Sequence, residues 1–399
     1  MSDVILVLNA GSSSLKFTLF EVGAEPSVLC GGQISGIGTA SRFDAKSGSA
    51  SETFRWDKET SRDELLRFLL GWVQDRLSGH RLIAAGHRVV HGGDHFAGPV
   101  RIDADVLAEL GRLEPLAPLH QPHNLFPIST LAELHPGLAQ VACFDTAFHR
   151  SQPEEARRFA LPRELHDQGI KRYGFHGLSY EYIARELRRV APEIAAGRVI
   201  VAHLGNGASL CALDGGLSID STMGYTAIDG LIMGTRCGAL DAGVVLDLIA
   251  RRGMTVAEVE KTLYSKSGLL GMSGISNDMR DLLASDQPQA AEAISVFVRR
   301  IAKELGGLTA MLGGLDALVF TAGIGERSAA VRDLVCRRSG WLGVELDAAA
   351  NEAPGNGPRR LSPDHAPVSV WVVPTDEERM IALHTQSVLG AVPGASDTL

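Results

Sequence analysis

The feature that most constrains the fold is a strand–turn–strand pattern that occurs twice. Residues 4–8 (VILVL) form a continuous apolar run, NAGSSS follows as a turn, and 15–20 (LKFTLF) alternate as a returning strand. The same order recurs in 198–204 (RVIVAHL), 205–209 (GNGAS) and 210–216 (LCALDGG). The repetition predicts an internal duplication into two related domains, with chance as the alternative because hairpins are common.

The remaining patterns favour an α/β class over an all-β class. Four further runs are predicted as buried strands: LIAAGHRVV (82–90), QVACFDTAF (140–148), ALVFTAGIG (317–325) and VSVWVVPT (368–375). Helical periodicity appears in 62–77, 177–190 and 293–313. Residues 350–367 are rich in proline, glycine and charge, so they are predicted to form a surface loop.

Composition narrows the range of partners. The chain has 399 residues, 45% of them hydrophobic, which favours two substantial domains over one. A net charge of -9 supplies no general positive field, so neither nucleic acid nor an anionic membrane surface is an expected partner. The five cysteines are widely spaced and include no C-x-x-C pair, which is typical of a reducing compartment.

The first apolar run is short. Val4 to Leu8 stops at Asn9 and is preceded by Asp3, so it matches neither a signal peptide nor a membrane span. We therefore expect a soluble, cytoplasmic protein.

Three small-residue turns could hold phosphate. The first, Gly11 to Ser14 with Lys16 beyond it, offers backbone N–H groups, hydroxyls and a cation, although it lacks the Walker spacing and such a turn is more often only a turn. The second is the duplicated turn 205–207. The third, TAGIGER (321–327), lacks the third glycine of a dinucleotide fingerprint, which disfavours a Rossmann dehydrogenase. Two such turns could hold a polyphosphate from both sides.

Four side chains stand out as candidates for chemistry. Arg88 ends an apolar strand, where a buried arginine needs an anionic partner, and Asp145 ends another such strand. Arg236 lies between glycines in MGTRCG, from which its guanidinium can reach a ligand. His176 lies in RYGFHG before a helix; alone, it is more often structural than catalytic. His87 and His91 are four residues apart but are interpreted as structural, because they lie on a strand.

Taken in order, eight motifs resemble those of the acetate kinase family over about residues 4–383. They are LNAGSSSLKF, GHRVVHGG, FDTAFH, RYGFHG, AHLGNGAS, MGTRCG, FTAGIGE and PTDEE. The resemblance implies two duplicated α/β domains of the sugar kinase and actin superfamily (ribonuclease H-like), with an interdomain cleft. It implies an N-terminal domain of 1–148 plus 378–399 and a C-terminal nucleotide-binding domain of 149–377. It also implies a homodimer that reversibly phosphorylates acetate with ATP and Mg²⁺ or Mn²⁺.

The resemblance also implies roles for individual residues. Asn9 and Glu377 match metal ligands, and Asp145, His176, Arg236 and Arg88 match catalytic groups, of which Arg88 binds the carboxylate. The acyl group would lie against Val90, Leu119, Phe175 and Ala227. The nucleotide would lie along Ser12, Ser14, Lys16, His203, Leu204, Gly205, Asn206, Gly207, Asp278, Met279, Arg280, Gly323, Ile324, Gly325, Glu326 and Arg327.

Phosphoryl transfer needs positioning and charge neutralisation more than covalent chemistry. Since the acceptor carboxylate is already an anion, no general base is required. We therefore expect Asp145 to orient another group rather than to remove a proton.

Some positions depart from the family pattern. Ala227 stands where proline is usual, which leaves propionate or another short-chain acid as an alternative substrate, because a methylene shifts selectivity by only about 1–3 kcal/mol. Tyr180 stands where histidine is usual, and Met279 where phenylalanine is usual. A sugar kinase of the same superfamily is a more distant alternative, disfavoured by the apolar pocket residues. A non-enzymatic actin-like ATPase would not explain two arginines and a histidine.

Overall fold

A computed structural model describes residues 2–390. The chain folds into two compact units. Residues up to Ala147 join those from Asp376 onward in the first unit, and Phe148–Thr375 form the second. The sequence-based boundaries lie one residue later at the first crossing and two later at the second. Asp376 belongs with the first unit because its side chain accepts a hydrogen bond from Arg379 N and caps the last helix.

The first unit is built on an eight-stranded sheet. Its spatial order is β5-β4-β3-β2-β1-β6-β8-β7, with β1, β6 and β8 parallel and an antiparallel run on one side. The strands are β1 (Asp3–Ala10), β2 (Ser14–Glu21), β3 (Ser27–Ser35), β4 (Arg42–Ser47), β5 (Ala50–Arg55), β6 (Arg81–Val89), β7 (Val100–Arg101) and β8 (Ala139–Phe144).

The second unit is built on a six-stranded sheet. Its order is β11-β10-β9-β12-β14-β13, with β9, β12 and β14 parallel. The strands are β9 (Arg198–Leu204), β10 (Ala208–Asp214), β11 (Leu217–Ser221), β12 (Ala317–Thr321), β13 (Arg359–Arg360) and β14 (Ser369–Val372).

Sixteen α-helices occur among residues 2–390, and none of them is long and apolar enough to cross a bilayer. They are α1 (Arg62–Gln74), α2 (Ala104–Arg112), α3 (Gln121–Leu134), α4 (Glu154–Arg157), α5 (Arg163–Asp167), α6 (Gly177–Val190), α7 (Pro192–Ala195), α8 (Ala242–Ala250), α9 (Val256–Ser265), α10 (Gly268–Ser273), α11 (Met279–Leu283), α12 (Pro288–Leu312), α13 (Ala322–Arg327), α14 (Ala329–Arg338), α15 (Ala348–Glu352) and α16 (Glu377–Leu389). Short 3₁₀ helices cover Glu114–Leu116, Ala147–Ser151 and Gly340–Leu342.

The two sheets repeat one topology, which confirms the predicted duplication. In each, a strand pairs antiparallel with the next strand on one side and parallel with a later strand on the other. β1, β2, β3, β6 and β8 of the first sheet correspond in this order to β9, β10, β11, β12 and β14 of the second. Both predicted hairpins are present, since β1 pairs with β2 and β9 with β10. The turns at the tips therefore occupy equivalent places in the two units.

Several predictions of local structure need correction. The strands predicted for 140–148 and 368–375 end at Phe144 and Val372, and a 3₁₀ helix begins at Ala147. The strand predicted for 317–325 ends at Thr321, and Ala322–Arg327 turns into helix α13, because the Glu326 carboxylate accepts a hydrogen bond from Ala322 N at 2.8 Å and closes a helical turn. The loop predicted for 350–367 also contains the end of α15 and the two-residue strand β13. That strand forms because Arg359 and Arg360 pair with the edge of β14.

Candidate active site

An ion pair between the half-buried Arg88 and the buried Asp145 lies at the carboxyl ends of two neighbouring parallel strands of the first sheet. Arg88 is the penultimate residue of β6, and Asp145 follows β8 directly. The Arg88 Nε lies 3.0 Å and 3.2 Å from the two Asp145 carboxylate oxygens, and Nη2 lies 2.6 Å from Oδ2. Burial alone would lower the pKa of Arg88, but the charges of Asp145 and Glu377 raise it. The guanidinium therefore stays charged, and its hydrogen bonds to Asp145 fix it at the strand ends.

The third guanidinium nitrogen of Arg88 is held more loosely. Nη1 lies 3.4 Å from Asn9 Oδ1 on β1 and 3.7 Å from Glu377 Oε2 at the start of α16. Burial raises the pKa of Glu377 to about 6, with Arg88 opposing the shift and Asp145 adding to it. Two carboxylates therefore share one guanidinium, and the surplus negative charge and oxygen ligands suit a hard cation.

The first predicted phosphate turn forms the tip of the β1–β2 hairpin. Gly11 N donates to Ser14 O at 2.7 Å, and Lys16 lies opposite Asn9 in the hairpin register. Ser12 is exposed, whereas Ser14 is half-buried. Their hydroxyls and the lysine thus belong to one short hairpin, as the sequence predicts.

A buried amide fixes the backbone beside these groups. Asn124 on α3 accepts a hydrogen bond from Val90 N at 2.9 Å and donates one to Ala10 O at 2.6 Å. It thereby ties the end of β6 to the end of β1. Val90 is buried, and Leu119, in the loop before α3, is 40% exposed. Because the other two predicted acyl-binding residues belong to the second unit, the four-residue acyl pocket stays a prediction.

In the second unit, the predicted nucleotide-binding segments meet around a cavity of about 490 Å³. The turn after β9, the start of α11 and helix α13 all contribute to its wall. The lining residues are Gly205, Asn206, Asn277, Asp278, Met279, Arg280, Leu283, Gly323, Ile324, Arg327 and Ser328. Such a volume suits a small-molecule ligand.

The turn after β9 is locked by contacts of its own. Gly205 N donates to Gly207 O at 3.0 Å, and Gly234 N donates to Asn206 O at 3.0 Å. The Asn206 side chain accepts a hydrogen bond from Asn277 Nδ2 at 3.2 Å. A Cβ at Gly234 would lie only 2.0 Å from Asn206 Oδ1, so a larger residue there would displace the Asn206 side chain. The cavity wall is therefore preformed here.

Helix α13 is held from two sides. The Glu326 carboxylate accepts from Ala322 N and, at 3.2 Å, from Thr375 N. The Arg332 Nη1 donates to the carbonyls of Gly325 and Glu326 at 2.9 Å and 2.8 Å. Ala322 adopts a left-handed backbone with φ 62°, which is unusual for a residue that carries a Cβ.

At the start of α11, Asp278 caps the helix and pairs with Arg280 at 3.0 Å and 2.5 Å. This hydrogen bonding lowers the pKa of the Asp278 carboxyl to about 2. The Arg280 side chain is largely exposed, whereas Met279 is buried. The prediction that all three residues lie near a nucleotide accords with their place on the cavity wall.

His176 and Arg236 converge on the same turn. A methyl group placed on Gly207 would lie 3.3 Å from His176 Nε2 and 3.9 Å from Arg236 Nη1. The His176 ring stacks on that of His203, with centroids 4.1 Å apart. Leu204, next along β9, is fully buried. His176 precedes α6 with a left-handed φ of 59°, which directs its backbone away from the helical path.

The other two predicted acyl-binding residues are Phe175 and Ala227. Phe175 directly precedes His176 in the chain, and Ala227 contacts Arg236. Phe175 is buried, and its carbonyl oxygen lies 2.9 Å from His149 Nε2. The Ala227 carbonyl accepts a hydrogen bond from Arg236 Nη1 at 2.8 Å. The residue that departs from the family pattern therefore also holds the arginine in place.

Several residues at these sites were missed by sequence reasoning. Arg62, at the start of α1, donates to the carbonyls of Ser12 and Gly11, and Asn124 clamps two strand ends. Neither has a local signal, because the partners lie 34 residues or more away. Asn277 and Ser328 directly adjoin predicted segments, so extending each segment by one residue would have found them.

Comparison with known proteins identifies the family of this chain. The family model described as "Acetokinase family" matches residues 4–383. An acetate kinase of Rhodopseudomonas palustris (strain TIE-1) is 56% identical, over 96% of this chain and 98% of its own length. Two crystal structures are each 36% identical over 97% of this chain and 100% of theirs: the acetate kinase of Porphyromonas gingivalis, with a TM-score of 0.87, and a propionate kinase of Francisella tularensis, with a TM-score of 0.90. Both the family match and the identities extend over nearly the whole sequence, and the chain belongs to the acetokinase family.

Proposed function

We propose that this protein transfers the terminal phosphoryl group of ATP directly to the carboxylate of acetate, reversibly, to give acetyl phosphate and ADP. The observation that carries the proposal is the Arg88–Asp145 pair. Asp145 binds Nε and Nη2, so the guanidinium is charged and oriented before any substrate arrives. Nη1, whose neighbours are 3.4 Å and 3.7 Å away, can then bind a carboxylate oxygen of the substrate.

Within this mechanism, Asp145 orients Arg88 and does not act as a base. All three of its hydrogen bonds go to the guanidinium, and an ionised acetate has no proton to give up. His176 and Arg236 supply a hydrogen-bond donor and a positive charge to the phosphoryl group as it transfers in line. The cavity bounded by the turns after β9 and β12 takes the nucleotide, and the Ser12, Ser14 and Lys16 hairpin contacts phosphate.

Mg²⁺ is part of the proposal, with Mn²⁺ as a substitute. Asn9 and Glu377 would hold it, and they fit: both offer oxygen ligands, and the Glu377 carboxylate, next to Asp145, has only a distant guanidinium partner at 3.7 Å. Within residues 2–390 no group of three His, Cys, Asp or Glu side chains could hold a metal alone. Mg²⁺ commonly needs only one or two protein ligands together with substrate phosphates. When bound, it neutralises phosphate charge.

The test is a hydroxamate assay with Mg-ATP and acetate, propionate or butyrate, which traps acyl phosphate. We expect acetate hydroxamate from the wild type and a loss of at least about 100-fold in Arg88→Ala, because a preorganised cation is removed. Arg81→Ala is the matched control: it lies on the same strand, 70% exposed, and pairs only with Asp3 at the surface. Absence of hydroxamate from every acid would refute the carboxylate kinase and favour a sugar kinase.

Propionate is the second candidate substrate. Ala227 gives a smaller side chain than the proline usual in the family, and one similar crystal structure is a propionate kinase. The same assay decides between them by kcat/KM. A higher value for propionate would keep the mechanism and change the preferred acid.

A homodimer is proposed on the family resemblance and on one uncovered surface. Helix α8 reads AGVVLDLIA, yet none of its residues is buried, and Leu246 is 66% exposed. Exposed apolar helices of this kind are typical of protein–protein interfaces. Light scattering on Leu246→Glu should give a monomer where the wild type gives a dimer. Val28→Glu, at a 53% exposed residue of the first unit, is the control.

A cytoplasmic location completes the proposal. The cysteines at 30, 143, 211, 237 and 336 are all free thiols, and four of them are buried. Such thiols persist in a reducing compartment. Fractionation of cells that produce the tagged chain should recover it with cytoplasmic markers, and recovery with the membrane fraction would contradict this.

A further inference from the structure

A short chain of hydroxyl groups leads to the ring of His176 from inside the second unit. His176 Nδ1 lies 2.8 Å from Ser209 Oγ, and Ser209 Oγ in turn hydrogen-bonds the Tyr180 hydroxyl. Tyr180 lies one turn into α6, and Ser209 is the second residue of β10. Both are fully buried, so water does not compete for these bonds.

The direction of the hydrogen bonds follows from the protons available. A tyrosine hydroxyl has one proton, and burial raises the pKa of Tyr180 well above its ordinary value, so the proton stays. In this buried position the proton goes to Ser209 Oγ, which is its hydrogen-bond partner. Ser209 accepts from Tyr180 and therefore has its own proton to give to His176 Nδ1.

This arrangement fixes the tautomer of the neutral imidazole. If Nδ1 accepts a hydrogen bond, the ring proton must lie on Nε2. Nε2 is the nitrogen that faces Gly207, where Arg236 Nη1 also approaches. The ring would then present an N–H, and not a lone pair, at the place where a phosphoryl oxygen is expected.

We propose that Tyr180 and Ser209 are positioning residues that hold neutral His176 as the Nε2–H tautomer, so that it donates a hydrogen bond to the transferring phosphoryl group. The inference rests on the proposed function for the role of that donor, but the tautomer itself does not depend on it. Stacking on His203 fixes the plane of the ring, and the two hydroxyl groups determine which ring nitrogen carries the proton.

The first measurement is ¹⁵N NMR of histidine-labelled protein at about pH 8, above the usual pKa of histidine. His176 is assigned by the signals lost in His176→Gln. We expect a pyrrole-like Nε2 and a pyridine-like Nδ1 in the wild type, and averaged shifts in Tyr180→Phe and Ser209→Ala. A pyrrole-like Nδ1 in the wild type would overturn the inference whatever the activity, whereas absence of acetate kinase activity would overturn only the proposed function.

Kinetics supply the second readout. We expect kcat to fall about 10-fold in Tyr180→Phe and roughly 100-fold in Ser209→Ala, with KM for acetate and ATP little changed, as for other losses of supporting hydrogen bonds. Ser209→Thr keeps the hydroxyl and should recover most of kcat. Ser339→Ala is the control. It removes another buried hydroxyl, which donates a hydrogen bond to Val335 O at 2.9 Å and lies at the C-terminal end of α14.

Ser209→Ala could fail to fold because the Tyr180 hydroxyl is left unpaired. In that case the double variant with Tyr180→Phe removes both hydroxyl groups, so that neither is buried without a hydrogen-bond partner. Tyr180→Phe alone also suffices for both readouts. Equal kcat in Tyr180→Phe, Ser209→Ala and Ser339→Ala would refute the positioning role.

Discussion

At the scale of single residues, the first unit is organised by one carboxylate. Asp145 is 2% exposed, and both of its carboxylate oxygens accept hydrogen bonds from Arg88. A buried carboxylate is stable only when it is paired, and here the pair also aims a guanidinium. We therefore expect Asp145 to act through the arginine rather than on the substrate.

Asp145→Asn tests this role through the pH–rate profile. The amide is neutral and cannot hold the guanidinium by a charge-assisted bond, so we expect kcat/KM for acetate to fall about 100-fold at every pH, with the profile unchanged in shape. Asp220→Asn, in the second unit and half-buried, is the control. A large loss confined to low pH would instead identify Asp145 as a proton acceptor.

The buried histidine of β6, His87, makes stability depend on pH. Burial lowers the pKa of His87 to about 4, although Gln140 hydrogen-bonds the ring at 2.8 Å. The folded state therefore binds a proton less readily than the unfolded chain, whose histidines titrate near pH 6.5. Stability from this group is present above pH 6.5 and is lost as the pH falls toward 4, by about 1.4 kcal/mol per pH unit.

His87→Gln removes the titrating group. The thermal unfolding midpoint of the variant should fall less steeply than that of the wild type between about pH 6 and pH 4.5. His95→Gln, at a side chain that is 70% exposed, should follow the wild type. Parallel curves for wild type and His87→Gln would show that burial does not lower the pKa of His87 in the folded protein.

At the scale of elements, local patterns predicted most of the secondary structure. Helix α6 has the predicted bounds 177–190, because its apolar spacing is regular and His176 adopts a left-handed backbone just before it. The TAGIGER segment was assigned to a strand and turn because its glycines suggest a turn. Its helix depends on Glu326 and on Arg332, which lies 6 residues further on, and no short window includes both effects.

Arg332 joins three helices at the edge of the nucleotide cavity. Its Nε and Nη2 bind the Asn351 side chain and backbone of α15 at 2.7 Å and 2.9 Å, and Nη1 binds two carbonyls of α13. Burial lowers the pKa of this guanidinium to about 10. Removing it would leave four buried oxygen contacts unsatisfied.

Arg332→Met should raise the KM for ATP by about 10-fold and leave the KM for acetate unchanged, because only the wall of the nucleotide cavity loses support. Arg332→Lys should not restore the wild-type value, since one ammonium group cannot reach all of these oxygens. Arg337→Met on the same helix, at a 76% exposed side chain, is the control. An equal rise in both KM values would indicate general loosening instead.

At the scale of the whole molecule, the arginine proposed to bind the carboxylate and the cavity proposed to take the nucleotide lie in different units of the duplication. Arg88 and the proposed metal ligands Asn9 and Glu377 lie in the first unit. The cavity lies in the second, as do His176 and Arg236. The sequence predicted this division from two hairpins. It could not predict the buried partners Asn124 and Ser209, because hydrogen bonds over long sequence separations leave no periodic trace.

The separation predicts independent binding. Arg88→Ala should bind ADP with a Kd within about twofold of the wild type while acetate-dependent turnover is lost, since no nucleotide contact in the second unit changes. Calorimetry with ADP measures this directly, and Asn206→Ala, which removes a cavity side chain, should weaken ADP binding. A large loss of ADP affinity in Arg88→Ala would contradict independent binding of the two substrates.

The left-handed backbones of His176 and Ala322 have a consequence for how the protein would respond to selection for heat resistance. A residue with a Cβ in this conformation costs about 1–2 kcal/mol relative to the right-handed form, and glycine avoids that cost. Selection for thermal tolerance alone would therefore favour Ala322→Gly. Glycine would also loosen helix α13, which lines the cavity proposed to take the nucleotide, so we expect the gain in stability to lower kcat.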